Sequence, residues 1–208
     1  MVRNEGDSRE PMNYYTVKTV NEPVDWDLLE KAELRECSWS PNPAPSAYMQ
    51  AALLPGSGLI VHIESSAAPL RSENFEPDSP VWEDSCLEFF FSAGGKEYVN
   101  LEANSNAALR ASIGEARHGR KLLLSAGYTM PQVSAVAADN SWQVFFYLPC
   151  KSFEELFDVS LTPGSEIRAN FYSCGDKTPY PHYASWNPVE TDSPDFHRPE
   201  FFGRLIIE

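Results

Sequence analysis

Basic residues are scarce. The chain carries 16 Lys and Arg against 30 Asp and Glu, a net charge of −14. A surface of that sign repels phosphate backbones and anionic lipid, which argues against nucleic-acid and membrane-surface partners. No apolar run reaches the roughly 18–20 residues needed to cross a bilayer. The N-terminal MVRNEGDSREPMNYYTVK lacks the apolar core of a secretory signal, so a cytoplasmic location is expected, or an extracellular one if the N-terminus has been trimmed. The four cysteines, Cys37, Cys86, Cys150 and Cys174, form no CxxC pair, which removes the usual zinc and redox signatures and leaves four reduced, mostly buried thiols as the expectation. HExxH, GxSxG and Walker spacings are all missing, and Gly94-Gly95-Lys96 reads as a hairpin turn. His182 and His197 stand near Asp176, Asp192, Asp195 and Glu200 without metal-site spacing, and Met49 and Met130 have no histidine to pair with at a haem. No cofactor is therefore expected. Structural calcium has no DxDxDG-like loop to support it, and the metal ligands, if any, stay unassigned.

What is present describes a globular β protein. The 208 residues suit one domain able to bury about 70% of its extended-chain surface. A composition 42% hydrophobic and 12% aromatic is not that of a disordered acidic tail. With 17 prolines and 11 glycines, short strands are favoured over long helices. Residues 1–13 read as a flexible polar lead-in and residues 14–208 as the single domain. Strands are expected at Gly58–Glu64, Asp84–Ser92, Tyr98–Asn104, Ala107–Ile113, Gln132–Ala137, Trp142–Leu148, Glu166–Cys174 and Phe202–Ile207. Helix is expected at Asp25–Glu33, and one turn at Ser152–Phe157, where Ser152 and Glu155 match a capping box. The fold class is all-β: a two-sheet antiparallel β-sandwich, jelly-roll or immunoglobulin-like, with one or two short helices.

The strand faces turned away from the core hold unusual chemistry. They offer Glu88, Glu102, Asn104, Arg110, Arg168, Asn170 and Tyr172, where an ordinary solvated face would carry Lys, Thr and Ser. Planar groups that give and take paired hydrogen bonds suit neighbouring hydroxyls. Aromatic faces suit the apolar side of a sugar ring. Trp82 (SPVWEDS) and Trp186 (YASWNPVE) stand in loop-like settings where an indole can serve a ligand. Trp142 begins a strand, and Trp26 and Trp39 flank the expected helix, so these three are read as packing residues.

Several segments taken together resemble the family 9 carbohydrate-binding modules and their DOMON-like β-sandwich relatives. They are Trp82 with Asp84-Ser85-x-x-Glu88, Tyr98 with Asn104, Trp142 leading to Leu148-Pro149, Gly164 before Ile167-Arg168-Ala169-Asn170, Ser185-Trp186-Asn187, and Phe202-Gly203-Arg204-Leu205. The resemblance spans residues 20–208 and is strongest to stand-alone family 9-like proteins. It implies a terminal sugar sandwiched by two tryptophans, Trp82 and Trp186 by position, with Glu88, Arg110 and Asn170 binding hydroxyls. Glu102 and Asn104, on the same strand faces, complete the candidate ligand set. The expectation is non-catalytic binding of a mono- or oligosaccharide, with no catalytic residues assigned and the oligomeric state open. Two alternatives stay open: a glycoside-processing enzyme or accessory factor of carbohydrate catabolism in the same cleft, whose reaction would be glycosidic hydrolysis, and an interaction module that has lost sugar binding.

Overall fold

The computed structural model describes residues 12–66 and 69–208. Most of the expected lead-in, residues 1–11, lies outside the described residues. Asn13 is already tied down, its backbone N–H donating to Asn187 Oδ1 at 2.8 Å and its side-chain amide to the Trp186 carbonyl at 2.7 Å.

Thirteen strands make up the described chain: β1 (Tyr14–Thr19), β2 (Ala32–Glu36), β3 (Ala47–Leu54), β4 (Gly58–Ser66), β5 (Cys86–Ser92), β6 (Tyr98–Asn104), β7 (Leu109–Gly114), β8 (Lys121–Leu122), β9 (Gln132–Ala137), β10 (Ser141–Pro149), β11 (Glu166–Cys174), β12 (Tyr183–Ser185) and β13 (Gly203–Ile207). Two short helices accompany them, α1 (Leu123–Ala126) and α2 (Cys150–Phe157). The front sheet runs β8-β7-β6-β5-β11, with β12 and β13 both pairing with β11; the back sheet runs β2-β3-β4-β10-β9. The sheets are joined along one side by two routes. β12 pairs with β2, and β1 pairs in parallel with β13 on the front and with β3 on the back.

The alternation seen in the sequence is the physical cause of the core. Leu59, Val61 and Ile63 of β4 point inward against Leu87, Phe89 and Phe91 of β5 and Val99, Leu101 and Ala103 of β6, all fully buried. Phe89 stacks on Phe91 at 4.8 Å and on Phe171 at 4.9 Å between ring centroids.

The expected helix at Asp25–Glu33 is not formed. Asp25 does cap a turn, accepting from Asp27 N at 3.2 Å, but it is a single 3-10 turn, Trp26–Leu28. From Ala32 the chain is drawn into β2 by pairing with β3, since tertiary strand pairing outweighs weak helix propensity. The capping box also fails. α2 begins at Cys150 with Pro149 as its cap, so Ser152 lies inside the helix and its buried hydroxyl has no partner among the described residues.

Candidate functional site

Pairing across the front sheet sets the outward-facing side chains in rows. One row is Tyr172, Glu88, Glu102 and Arg110; the next is Asn170, Phe90, Asn100 and Ser112; a third is Cys174, Cys86 and Asn104. This face is largely covered. The chain from Asn187 to Phe202 crosses it, and Val189 and Phe202 bury themselves against Phe90, Tyr98 and Tyr172. Beside that cover a pocket of about 260 Å³ stays open. Glu88, Glu102, Asn100, Ser112 and Tyr183 line it from the strands, and Trp39, Trp82, Phe196 and Arg117 from the turns and loops.

Trp82 is set by its anchor. It lies in a 3-10 turn, Val81–Glu83, that is followed at once by Asp84. The fully buried Asp84 carboxylate accepts from the backbone N–H groups of Glu73 (3.1 Å) and Asn74 (2.9 Å), from the Asn104 amide (2.8 Å) and from Arg71. Burial alone would raise this carboxyl, but the hydrogen bonds outweigh it and hold it below the usual range. Arg110 lies over the Trp82 ring, 5.2 Å from its centroid, and is held there by donating to the Asp78 carbonyl at 2.8 Å. Trp39 meets Tyr183 edge-on at 5.0 Å and Phe196 at 5.6 Å.

Glu88 and Glu102 face each other as cross-strand partners and are 3% and 5% exposed. Burial lifts the carboxyl of Glu88 well above the usual range, and the neighbouring Glu102 charge lifts it further. Burial pushes Glu102 up to about 7, against the opposing pull of the Asn100 amide, Arg110 and Arg120. Asn100 donates to Glu102 Oε1 at 2.6 Å and accepts from Ser112 Oγ at 2.5 Å and Arg120 Nε at 2.7 Å. Arg120 also donates to the Tyr98 carbonyl at 2.7 Å, so it braces this network. His197 is kept neutral: burial first, then Arg120 and Arg117, lowers its pKa to about 3. Carboxylates with unused lone pairs, a guanidinium and indole faces together can accept and donate to a hydroxyl-rich ring.

Of the seven candidate residues, Trp82, Glu88, Glu102 and Arg110 come together in this pocket. Three do not line it. Trp186 is not a wall: it is 5% exposed, packs edge-on against Phe171 at 5.6 Å, and belongs to the main core. A Cβ on Gly203 would come within 2.6 Å of its ring, so the indole lies directly on the β13 backbone. Asn170 is buried beneath the C-terminal segment, donating to the Asn187 carbonyl (2.9 Å) and accepting from Asn187 N (2.8 Å). Asn104 clamps the loops, donating to Asp84 and to the Asn74 carbonyl and accepting from Asn106 N and Ala108 N. The residue the sequence reading passed over is Trp39. Its setting, SWSPNPAP, is as loop-like as that of Trp82 and carried the same signal.

The sequence model of Carbohydrate-binding family 9 matches residues 18–207. The chain belongs to this family. A solved structure of a candidate carbohydrate-binding protein from Bacteroides uniformis is 28% identical, with a TM-score of 0.82 over 95% of this chain and all of that one. Two structures of a family 9 module from Caldicellulosiruptor kristjanssonii, one in complex with cellotriose and one with glucose, are each 12% identical. Their TM-scores are 0.67 and 0.69, covering 94% of this chain and 94% and 96% of those chains. At that identity they show the shared sandwich alone. A search of curated proteins finds no match. Among the described residues, no helix of this family 9 chain is long and apolar enough to cross a membrane.

Proposed function

We propose that the pocket binds one sugar ring, a monosaccharide or the end of an oligosaccharide, without chemical change to it. Trp82 and Trp39 supply the indole faces, Glu88 and Glu102 accept from its hydroxyls, and Arg110 donates. The observation that carries this reading is the meeting of two loop tryptophans with a buried, hydrogen-bond-hungry carboxylate pair in one pocket of a family 9 chain. The pocket's small volume suits a ligand below drug size. The ligands of the two C. kristjanssonii complexes make glucose and cellotriose the first probes. Calorimetry with each should show binding that Trp82→Ala and Trp39→Ala each weaken about 30-fold, the loss expected for a well-packed aromatic contact of about 2 kcal/mol. If a glycan array and both probes give no binding at millimolar concentration, or if both alanine variants bind as the parent does, the reading fails.

One observation favours a second reading, glycosidic hydrolysis. Directly paired strand residues hold their Cβ atoms about 4.5–5.5 Å apart, and retaining glycosidases hold two carboxyls about 5–5.5 Å apart. Glu88 and Glu102 are such a pair. Release of nitrophenol from nitrophenyl glycosides, abolished in Glu88→Gln and Glu102→Gln, would establish it; a turnover no faster than the uncatalysed rate removes it.

A further inference from the structure

Beneath the aromatic walls, Cys86 and Cys174 are partners across β5 and β11, and Glu88 lies two residues beyond Cys86 on the same face. Both sulfurs and a Glu88 carboxylate oxygen lie within 4.8 Å of one another. The Cys174 thiol donates to Glu88 Oε1 at 3.0 Å. All three side chains are buried, at 0%, 2% and 3% exposure. The sugar reading uses Glu88 but gives neither thiol a task. Packing alone does not explain the group either, because a carboxylate is a poor neighbour for apolar filler unless something compensates its charge.

We propose that Cys86, Cys174 and Glu88 hold a thiophilic divalent cation, zinc in its simplest form, with a fourth coordination position open to the pocket. Two thiolates and a carboxylate are a donor set zinc accepts, and three protein ligands leave a tetrahedral ion one place for water or a hydroxyl. Zinc–sulfur and zinc–oxygen bonds of about 2.3 and 2.1 Å set the ligand atoms about 3.4–3.8 Å apart. The three ligand atoms, all within 4.8 Å of one another, stand close to that spacing. Cys174 and Glu88 both line the pocket, which gives the ion its way in. The ion displaces one proton from each thiol to solvent, and a third from Glu88 when that group is protonated. Two thiolates, one carboxylate and the ion sum to −1, and Arg117 lines the same pocket. Because the ion displaces thiol protons, its affinity rises with pH.

The test is cobalt(II) titrated anaerobically into the reduced protein without sugar. One equivalent should produce thiolate-to-cobalt charge-transfer absorption. Cys86→Ser and Cys174→Ser should each lose it, Cys37→Ser and Cys150→Ser should keep it, and Glu88→Gln should weaken cobalt binding at least tenfold. No charge-transfer band in the parent protein, or a band that survives in both Cys86 and Cys174 variants, overturns the proposal. If those serine variants do not fold, alkylation of the parent protein in urea just below its unfolding midpoint, where the buried thiols open to reagent, with and without zinc, replaces them. Zinc should protect Cys86 and Cys174 but not Cys150, and equal labelling in both conditions overturns the site. Because sugar is absent from these measurements, a chain that takes cobalt but no glucose defeats only the sugar reading, and the reverse result defeats only this one.

Discussion

The two sheets turn similar side chains outward and treat them differently. On the back sheet, His62 stacks on Phe145 at 4.7 Å under Trp26, with Tyr48 at its edge. Its two ring nitrogens meet Gln50 Oε1 at 3.2 Å and Gln143 Oε1 at 2.7 Å. The Gln50 amide in turn donates to the Trp26 and Leu29 carbonyls. Every strong polar group there is answered by a neighbour, and the aromatics lie against one another. On the front sheet, Glu88 has one thiol donor and Glu102 one amide donor, although each carboxylate can accept about four hydrogen bonds. Aromatic and polar residues together therefore do not make a site. Unmet hydrogen-bonding capacity beside an open volume does.

That contrast can be broken in several places. The largest effect is expected outside both faces. Trp186→Ala should cost about 3–5 kcal/mol of stability, the usual loss for a large core ring, and lower the melting temperature by about 10 °C for a domain of this size. If it instead leaves melting unchanged while abolishing sugar binding, the core placement of Trp186 is wrong. Next comes Glu102. Its carboxyl titrates at about 7 folded against 4.5 in its ordinary state, so between those values the folded chain holds the extra proton. Stability then falls as pH rises through that window, by about 3 kcal/mol for this group, and levels off above it. Urea unfolding at pH 5 and pH 7.5 should show the fall, and Glu102→Gln should flatten it; an equal slope in both proteins would contradict the assignment. Sugar affinity should move the other way and strengthen as pH rises toward 7, because the ionised carboxylate is the better acceptor. The smallest effect belongs to the back face. His62→Ala should cost about 1–3 kcal/mol by stranding the Gln50 oxygen, yet leave glucose affinity within twofold. A tenfold loss of affinity would mean the back face takes part in binding.

Strand alternation marked β4 to β7, β9 to β11 and β13, and β6 runs over the very residues its pattern marks, Tyr98–Asn104. β1, β2, β3, β8 and β12 were missed: β3 is buried on both faces and so shows no alternation, β1 alternates only over Tyr15 and Val17, and the short β2, β8 and β12 give too little period. The same blindness misplaced Trp186. SWNP reads as loop, and the Gly203 backbone that receives the indole is 17 residues away. The floor carboxylates could be read from strand period alone, because one cross-strand row gathers Glu88, Glu102 and Arg110. The walls could not, since no local pattern tells which loop tryptophan folds over that row. Asn104 and Asn170 were correctly found on the outward face. What covers that face, a loop in one case and the C-terminal segment in the other, is tertiary information.

The parallel pairing of β1 with β13 has a consequence for how the protein is made. β13 sits between β1 and β11, with Tyr14 beside Arg204 and Val17 beside Ile207. Residues near the start of the domain thus wait for a partner nearly 190 positions later, a contact of the most distant kind. Until residues 203–207 have left the ribosome, β1 and β11 each expose an unpaired edge, and the indole of Trp186 has no backbone to lie on. The domain therefore closes only after translation has passed its last strand, and a nascent chain halted before Gly203 should be protease-sensitive and in need of a chaperone.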